Sequence, residues 1–372
     1  MTLRDMIPIY EPSIGKEELK NVQEAVKSGW ISSKGDFIEE FEEGFSKIIG
    51  PKYGISTSNG TTALHLALSA LGISKGDSVI VPDFTFISPV NAILYNGANP
   101  VLIDSSPSYW NIDPNKIEEA IDKRTRAILV VHIYGHPADM GKIMKIANEY
   151  DLRVIEDCAE SHGALYKDRM TGTFGDISCF SFYGNKIITT GEGGMCLTSS
   201  QELSDRLRVL RDHGMRPENK YWHEVIGYNY RMTNMQAAVG VAQLKKFHKI
   251  LELKRKNGKL FAKLLSGIEG ITVQPEMEWA KSVYWLNSIL IDKKEGKPSR
   301  DEVSKKLSNS GIDNRKFFYP AHLMPPYKSY GVGNKLHTSK MLSEAGLNLP
   351  SSPNLSEEEI CYITDIIIQA QK

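Results

Sequence analysis

Between residues 77 and 155 the chain alternates short apolar runs with amphipathic segments. The runs at 77–81, 100–103, 127–133 and 152–155 are β-branched and nearly continuous in hydrophobicity, the pattern of parallel strands covered on both faces. Candidate helices lie between them at 88–96, 114–122 and 139–150. That order predicts an α/β fold with right-handed crossovers, in which functional groups collect at the carboxyl ends of the strands.

Upstream, 16–28 reads as an amphipathic helix with Leu19, Val22 and Val26 on one face and Gly29 as its stop. A loop of small residues from Trp30 to Gly35 leads to a second helix at 36–48. A loop from Tyr53 to Gly60 then opens a third, on which Leu64, Leu68 and Leu71 recur at helical spacing. Past Ser200 the pattern predicts a helix at 201–212, a loop rich in aromatics and histidine (His213, Tyr221, Trp222, His223) and a long helix at 234–265. A strand at 284–291 follows, with capping boxes pairing Ser299 with Glu302 and Ser356 with Glu359. The expected organisation is a large α/β domain at 1–249, its central sheet mostly parallel with helices on both faces, and a smaller α+β domain at 250–372.

Composition narrows the partners. The 45 basic and 45 acidic side chains balance, so global charge favours neither nucleic acid nor a membrane surface. No segment approaches the ~18 apolar residues of a membrane span, and MTLRDMIPIY lacks the apolar core of a signal peptide. Cys158, Cys179, Cys196 and Cys361 lie far apart with no C-x-x-C pair, which argues against zinc and against a disulfide framework. A reduced, cytoplasmic protein with no metal is expected.

Candidate chemistry centres on 176–196, DISCFSFYGNKIITTGEGGMC. A β-type run delivers Lys186 on a turn, and a Gly-rich hairpin signal (Gly191, Gly193, Gly194) follows. A lysine between apolar strands has its ammonium partly desolvated, which lowers its pKa and frees the amine to attack a carbonyl. Gly60, Thr61 and Thr62 start a helix whose unpaired N–H groups and dipole suit a phosphate. Asp157 ends the strand Val154-Ile-Glu-Asp, where a carboxylate can hold a protonated pyridine nitrogen. Glu156 competes for this place, but strand alternation gives the two adjacent side chains opposite faces, so only one of them can face the site; Glu160 reaches the same side as Asp157 if the chain turns helical. Phe86 can stack on a planar ring, and the Ser181 hydroxyl adds a phosphate donor. Taken singly, each has a structural reading: a helix cap, a turn residue, a core aromatic, a solvated lysine. In this chain order they fit one cofactor, pyridoxal 5'-phosphate (PLP). The Gly-rich run follows the lysine turn, not a strand-to-helix turn with G-x-G-x-x-G spacing, which counts against a nicotinamide enzyme.

The strings SNGTTALHLAL, VPDFTFIS, VIEDCAESHGA, CFSFYGNKIITTGEGGM and GYNYRMTNMQAA resemble the DegT-type sugar aminotransferases, fold-type I PLP enzymes that act on nucleotide-linked ketosugars. The similarity runs from Ile7 to at least Gln243 and is looser afterwards. The resemblance implies that Lys186 binds the cofactor aldehyde and moves the proton, and that Asp157 pairs with the pyridine nitrogen. It places Glu160 near the ring hydroxyl, where many relatives carry Gln. Gly60, Thr61, Thr62 and Ser181 would hold the phosphate, and Phe86 would stack on the ring. It further implies a homodimer with active sites at the interface, where Asn229 of the neighbouring subunit reaches the phosphate, and L-glutamate as amino donor. Trp30, Ser33, His213, Tyr319 and His322 are expected sugar or nucleotide contacts. A dehydratase branch of the family replaces the lysine with His, so Lys186 implies transamination. GWISS, HIYGHP and TTGEGG resemble the members that aminate C4 of GDP-4-keto-6-deoxymannose. A UDP- or dTDP-linked ketosugar, or a PLP-binding regulator that turns nothing over, are the alternatives.

Overall fold

The computed structural model describes residues 6–216, 218–292, 295–331 and 335–371. The first five residues of the stretch considered for a signal peptide lie outside the described residues. The chain opens with helices α1 (Lys16–Ser28) and α2 (Asp36–Ile49), strand β1 (Tyr53–Thr57) and helix α3 (Gly60–Ala70). Alternation follows through β2 (Ser78–Pro82), α4 (Ser88–Tyr95), β3 (Asn99–Ile103), β4 (Thr125–Val131), α5 (Met140–Glu149) and β5 (Arg153–Asp157). Short strands β6 (Leu165–Tyr166) and β7 (Arg169–Met170) precede β8 (Ile177–Ser181), β9 (Gly194–Thr198) and helix α6 (Gln201–Arg211). Beyond the long helix α7 (Asn234–Leu265) come β10 (Ile271–Val273), β11 (Ala280–Lys281), β12 (Asn287–Ile291), α8 (Arg300–Asn309) and β13 (Arg315–Lys316). The last elements are α9 (His337–Ala345), β14 (Gly346–Leu349) and α10 (Glu357–Gln371).

Seven strands form the central sheet in the order β1-β9-β8-β5-β4-β2-β3. β2, β3, β4, β5 and β8 pair in parallel, and β9 runs against both its neighbours, β8 and β1. The expected mostly parallel α/β sheet is therefore present. Val79, Ile80 and Val81, and Ala127 to Val130, are buried without interruption because helices cover both faces. A second, antiparallel sheet, β10-β12-β14-β13, carries α8 and α10 over its own core of Val303, Leu307, Ile360, Ile363 and Ile367. α7 connects the two: Val241 and Phe247 pack with Phe41 and Phe45, whereas Phe261 and Leu265 belong to the second core.

Three local expectations fail. The helix expected at 114–122 is only two 3₁₀ turns, Pro114–Lys116 and Glu118–Ala120. Asp113 and Asp122 accept from the N–H groups of Asn115 and Arg124, two residues on, and these side-chain turns compete with the helical ladder. Second, Tyr53–Thr57 is a strand and not a loop. Its Ser56 and Thr57 are buried, so it shows no apolar signal; Glu42 of α2 accepts from the Ser56 N–H at 2.8 Å and its hydroxyl at 2.7 Å. Third, α1 buries Glu18, Asn21 and Ala25, while Leu19 and Val26 are 60% and 54% exposed. Polar partners on α7 hold that polar face: Gln243 and Lys246 donate to Glu18, and Asn21 donates to the Ala238 carbonyl at 3.0 Å.

Candidate active site

The parallel strands and β1 all point their carboxyl ends to one edge, and there the chain leaves a cavity of about 600 Å³. β1 leads through Asn59 into α3. The Asn59 side chain accepts the Thr62 N–H at 2.9 Å, and the Thr62 hydroxyl accepts the Asn59 N–H at 3.2 Å. This leaves the N–H groups of Gly60 and Thr61 with no intrahelical acceptor at the start of an 11-residue helix. A Cβ on Gly60 would meet the Ser181 Cβ at 2.8 Å, so glycine lets β8 approach. The Thr61 and Ser88 hydroxyls lie 2.7 Å apart, bringing the start of α4 to the same spot. Free N–H groups, hydroxyls and two converging helix starts make an anion cradle.

Lys186, Asp157 and Glu160 face the same cavity, and each is buried. Burial lowers the Lys186 pKa, opposed by the charges of Glu160 and Asp157. Burial raises Asp157, opposed by the Ala159 N–H, which its carboxylate accepts at 3.0 Å, and by Lys186. Burial also pushes Glu160 up to about 7, opposed by Lys186 and by the Tyr134 N–H at 2.7 Å. Tyr134 is in the left-handed region at φ 51°, strain that aims this N–H at Glu160. The Trp285 ring centre lies 4.0 Å from Lys186 Nζ, an aromatic face that steadies the ammonium.

Glu156 points to the other face of β5. It accepts from the Gly172, Phe174 and Gly175 N–H groups at 2.7, 2.7 and 2.8 Å and pairs with His132 Nε2 at 3.2 Å. His132 Nδ1 accepts the Ala138 N–H, which assigns the ring proton to Nε2. His132, Glu156 and Cys158 lie close enough for a metal, but the carboxylate's acceptors and His132 Nδ1 are already engaged.

Eight expected residues line the cavity: Gly60, Thr61, Thr62, Phe86, Asp157, Glu160, Ser181 and Lys186. Phe86 is 54% exposed and meets Phe318 edge to face at 5.7 Å, so it is no core residue. Asn229, Trp30, Ser33, His213, Tyr319 and His322 are not on the wall. Asn229 and His213 are exposed and bonded to Arg231, at 3.0 and 3.3 Å. The Trp30 carbonyl accepts from Asn234 at 2.7 Å, Ser33 lies half-buried in the same loop, and Tyr319 is exposed. His322 is turned onto buried Asp83, Nδ1 to Oδ2 at 2.6 Å. Sequence reasoning missed Trp285, Asn185, Tyr134 and Arg315 on or under the wall. Trp285 falls in the stretch 284–291 expected as a strand, but the strand begins only at Asn287, because Tyr284 turns into the left-handed region at φ 49°, and no local signal marked which way Trp285 faces.

An anion cradle, a buried carboxylate and a buried amine around one cavity fit PLP, whose phosphate, pyridine nitrogen and aldehyde need those three groups. Fold and site together define a PLP-dependent enzyme. The chain belongs to the DegT/DnrJ/EryC1/StrS aminotransferase family, whose pattern it matches over residues 12–368. It is 45% identical to GDP-perosamine synthase of Escherichia coli O157:H7 over 97% of each chain. It is 41% identical to the Vibrio cholerae GDP-perosamine synthase, covering 97% of this chain and 98% of that one. Among solved structures, S. venezuelae DesV superposes with a TM-score of 0.91 at 32% identity over 98% of both chains. The E. coli GDP-4-keto-6-deoxy-D-mannose-3-dehydratase with bound hydrated PLP superposes with a TM-score of 0.91 at 27% identity, over 97% of this chain and 98% of that one.

Proposed function

We propose that the protein moves the amino group of L-glutamate to the C4 ketone of GDP-4-keto-6-deoxymannose, giving GDP-perosamine. The observation that carries this is the meeting of Lys186, Asp157 and the Gly60–Thr62 helix start in one cavity, in a chain so similar to enzymes of that name. When bound, PLP supplies an aldehyde to carry the amino group and a ring to take up the electron pair released at the substrate carbon. Lys186 would hold that aldehyde and would move the proton at the substrate carbon in both half-reactions. Asp157 would keep the ring nitrogen protonated, Glu160 would lie on the side of the ring hydroxyl, and Phe86 would cover the ring. The Gly60 and Thr61 N–H groups and the Thr61, Thr62 and Ser181 hydroxyls bind the phosphate. Arg315, the other cation among the described residues of the wall, supplies positive charge to both anionic substrates.

The same reading divides the chain into a cofactor-holding part, 1–249, and a smaller part, 250–372, whose Trp285, Arg315 and Phe318 complete the wall. It also requires a homodimer in the cytoplasm. Leu19, Val26, Trp30, Trp222 and Ile226 are exposed, the last 91%, apolar side chains that a second copy would cover. Asn229, away from its own cavity, would then serve the partner's phosphate, and Trp30, Ser33, His213, Tyr319 and His322 would flank the sugar nucleotide. No described helix is long and apolar enough to cross a membrane.

Side-by-side turnover of GDP-, UDP- and dTDP-linked 4-ketosugars with glutamate tests the substrate. Preference for the GDP sugar is expected; preference for another nucleotide replaces it. Lys186→Ala is expected to lose transamination by at least about 10³-fold, and turnover at wild-type rate sinks the assignment. Cofactor that binds but is never aminated by glutamate would favour a regulatory protein. Mixing Lys186→Ala with Asn229→Ala protein is expected to restore part of the activity both lack, through hybrid dimers with one intact site.

A further inference from the structure

Outside the cavity lies a second buried lysine, which the chemistry above does not use. Lys254, midway along α7, is 1% exposed. Its Nζ donates to the Trp285 carbonyl at 2.7 Å, the Ser351 carbonyl at 2.7 Å and the Ser351 hydroxyl at 2.9 Å. It also lies 5.0 Å from the centre of the Tyr10 ring. Three acceptors match the three protons of an ammonium. Burial drives the pKa well below the usual lysine range, and the three acceptors and the Tyr10 ring are what favour the charged form against it. An apolar side chain of similar volume would avoid that desolvation. The reason for a cation here lies in what it holds.

It holds the Lys186 turn. Trp285 Nε1 donates to the Asn185 carbonyl at 2.8 Å, and the Tyr10 hydroxyl donates to the Lys186 carbonyl at 2.7 Å. Two successive carbonyls of the turn are thus clamped by the two aromatic residues that Lys254 touches. The Trp285 ring also faces Lys186 Nζ at 4.0 Å, so its position sets how far the amine is shielded from water and where it points. The third segment is tied to the other two: the Ser351 N–H donates to the Ile9 carbonyl at 2.9 Å and its hydroxyl to the Trp285 carbonyl at 2.7 Å. One nitrogen therefore joins chain segments near residues 10, 285 and 351 beneath the reactive lysine.

We propose that Lys254 is a positioning residue for Lys186. It fixes the Tyr10 and Trp285 clamps on the turn and so sets the orientation and proton affinity of the Lys186 nitrogen. This rests on Lys186 being the reactive amine.

The test uses the holoenzyme. A pH titration of the bound cofactor's visible absorbance reports proton affinity at the Lys186 nitrogen without turnover, and circular dichroism reports folding. Lys254→Met is expected to move the titration midpoint by about half a unit or more. It should lower kcat roughly tenfold with the KM for glutamate within about twofold of wild type. Tyr10→Phe, which removes only the hydroxyl on the Lys186 carbonyl, is expected to shift the midpoint in the same direction, and it decides the matter if Lys254→Met does not fold. Folded variants with wild-type midpoint and kcat overturn the proposal. A Lys186→Ala protein with wild-type activity would overturn the reading of Lys186 and, with it, the proposal that rests on it, whereas an inactive Lys186→Ala protein beside Lys254 and Tyr10 variants of unchanged midpoint and kcat overturns the role of Lys254 alone.

Discussion

Glu156 and Asp157 are neighbours on β5, both buried, and their environments make them different groups. Glu156 has four partners, three backbone N–H donors and His132, and these hold its pKa below the usual carboxylate range despite burial. Asp157 accepts one N–H, from Ala159, and burial raises it. The contrast is one of spare acceptor capacity. A carboxylate whose acceptors are filled by the fold is structural, whereas one with an acceptor free, beside a cavity and a lysine, is equipped to meet a ligand.

The largest effect should come from Asp157→Asn. A loss of roughly 10³-fold in kcat/KM is expected, with no fall in the thermal midpoint. The sign follows from the raised pKa: its charge weighs against folding once pH exceeds the unfolded value of about 3.9. Steady-state kinetics beside a melting curve at neutral pH checks both, and a variant that loses stability but keeps activity breaks the contrast.

Glu156→Gln should do the reverse. Gln turns an amide donor toward backbone N–H groups that need acceptors, at a cost of about 2–4 kcal/mol by chemical unfolding. The folded fraction should retain most of its activity. Because the Glu156 pKa is depressed, its stabilisation is present above the unfolded value and fades as pH falls, so the deficit should shrink in acid. A deficit independent of pH would show that the charge is not what the three N–H groups hold.

The smallest effect is expected from Glu160→Gln, which sharpens the comparison between the cavity's two carboxyls. Its pKa, raised to about 7, makes its contribution to stability fullest in acid and lost as pH rises through that value. The Gln variant should flatten that part of the stability curve. The activity–pH profile should lose its inflection near 7 while changing less than about tenfold at its optimum. An unchanged profile would mean that Glu160 carries no proton in the working range.

Much of the cavity was legible because its parts are local. The apolar runs located β2 through β5, Asn59-Gly60-Thr61-Thr62 announced a helix start, and Asp157 stood at a strand's carboxyl end, where alternation leaves only one of Glu156 and Asp157 for the site. Other parts were hidden for identifiable reasons. β1 buries Ser56 on a glutamate of α2 and Thr57 on the Asn59 carbonyl, so its pattern is polar although its environment is not. α1 inverts its amphipathic face because Lys246 and Gln243, more than 220 residues away, satisfy Glu18. Trp285 and Arg315 reach the wall from the far side of α7, where no spacing relates them to Lys186. Asn229, Trp30, Ser33 and His213 sit away from the cavity, because a motif fixes the residues and not where their loop packs.

The sequence alone determined the alternation from β2 through β5, the helix start at Gly60 and the lysine on its turn, since backbone propensity and side-chain alternation act over a few residues. Tertiary structure decided which buried charges are filled and which are left open. Desolvation and hydrogen bonding depend on everything that surrounds a group, and here those surroundings come from segments as distant as residues 10, 254, 285 and 351.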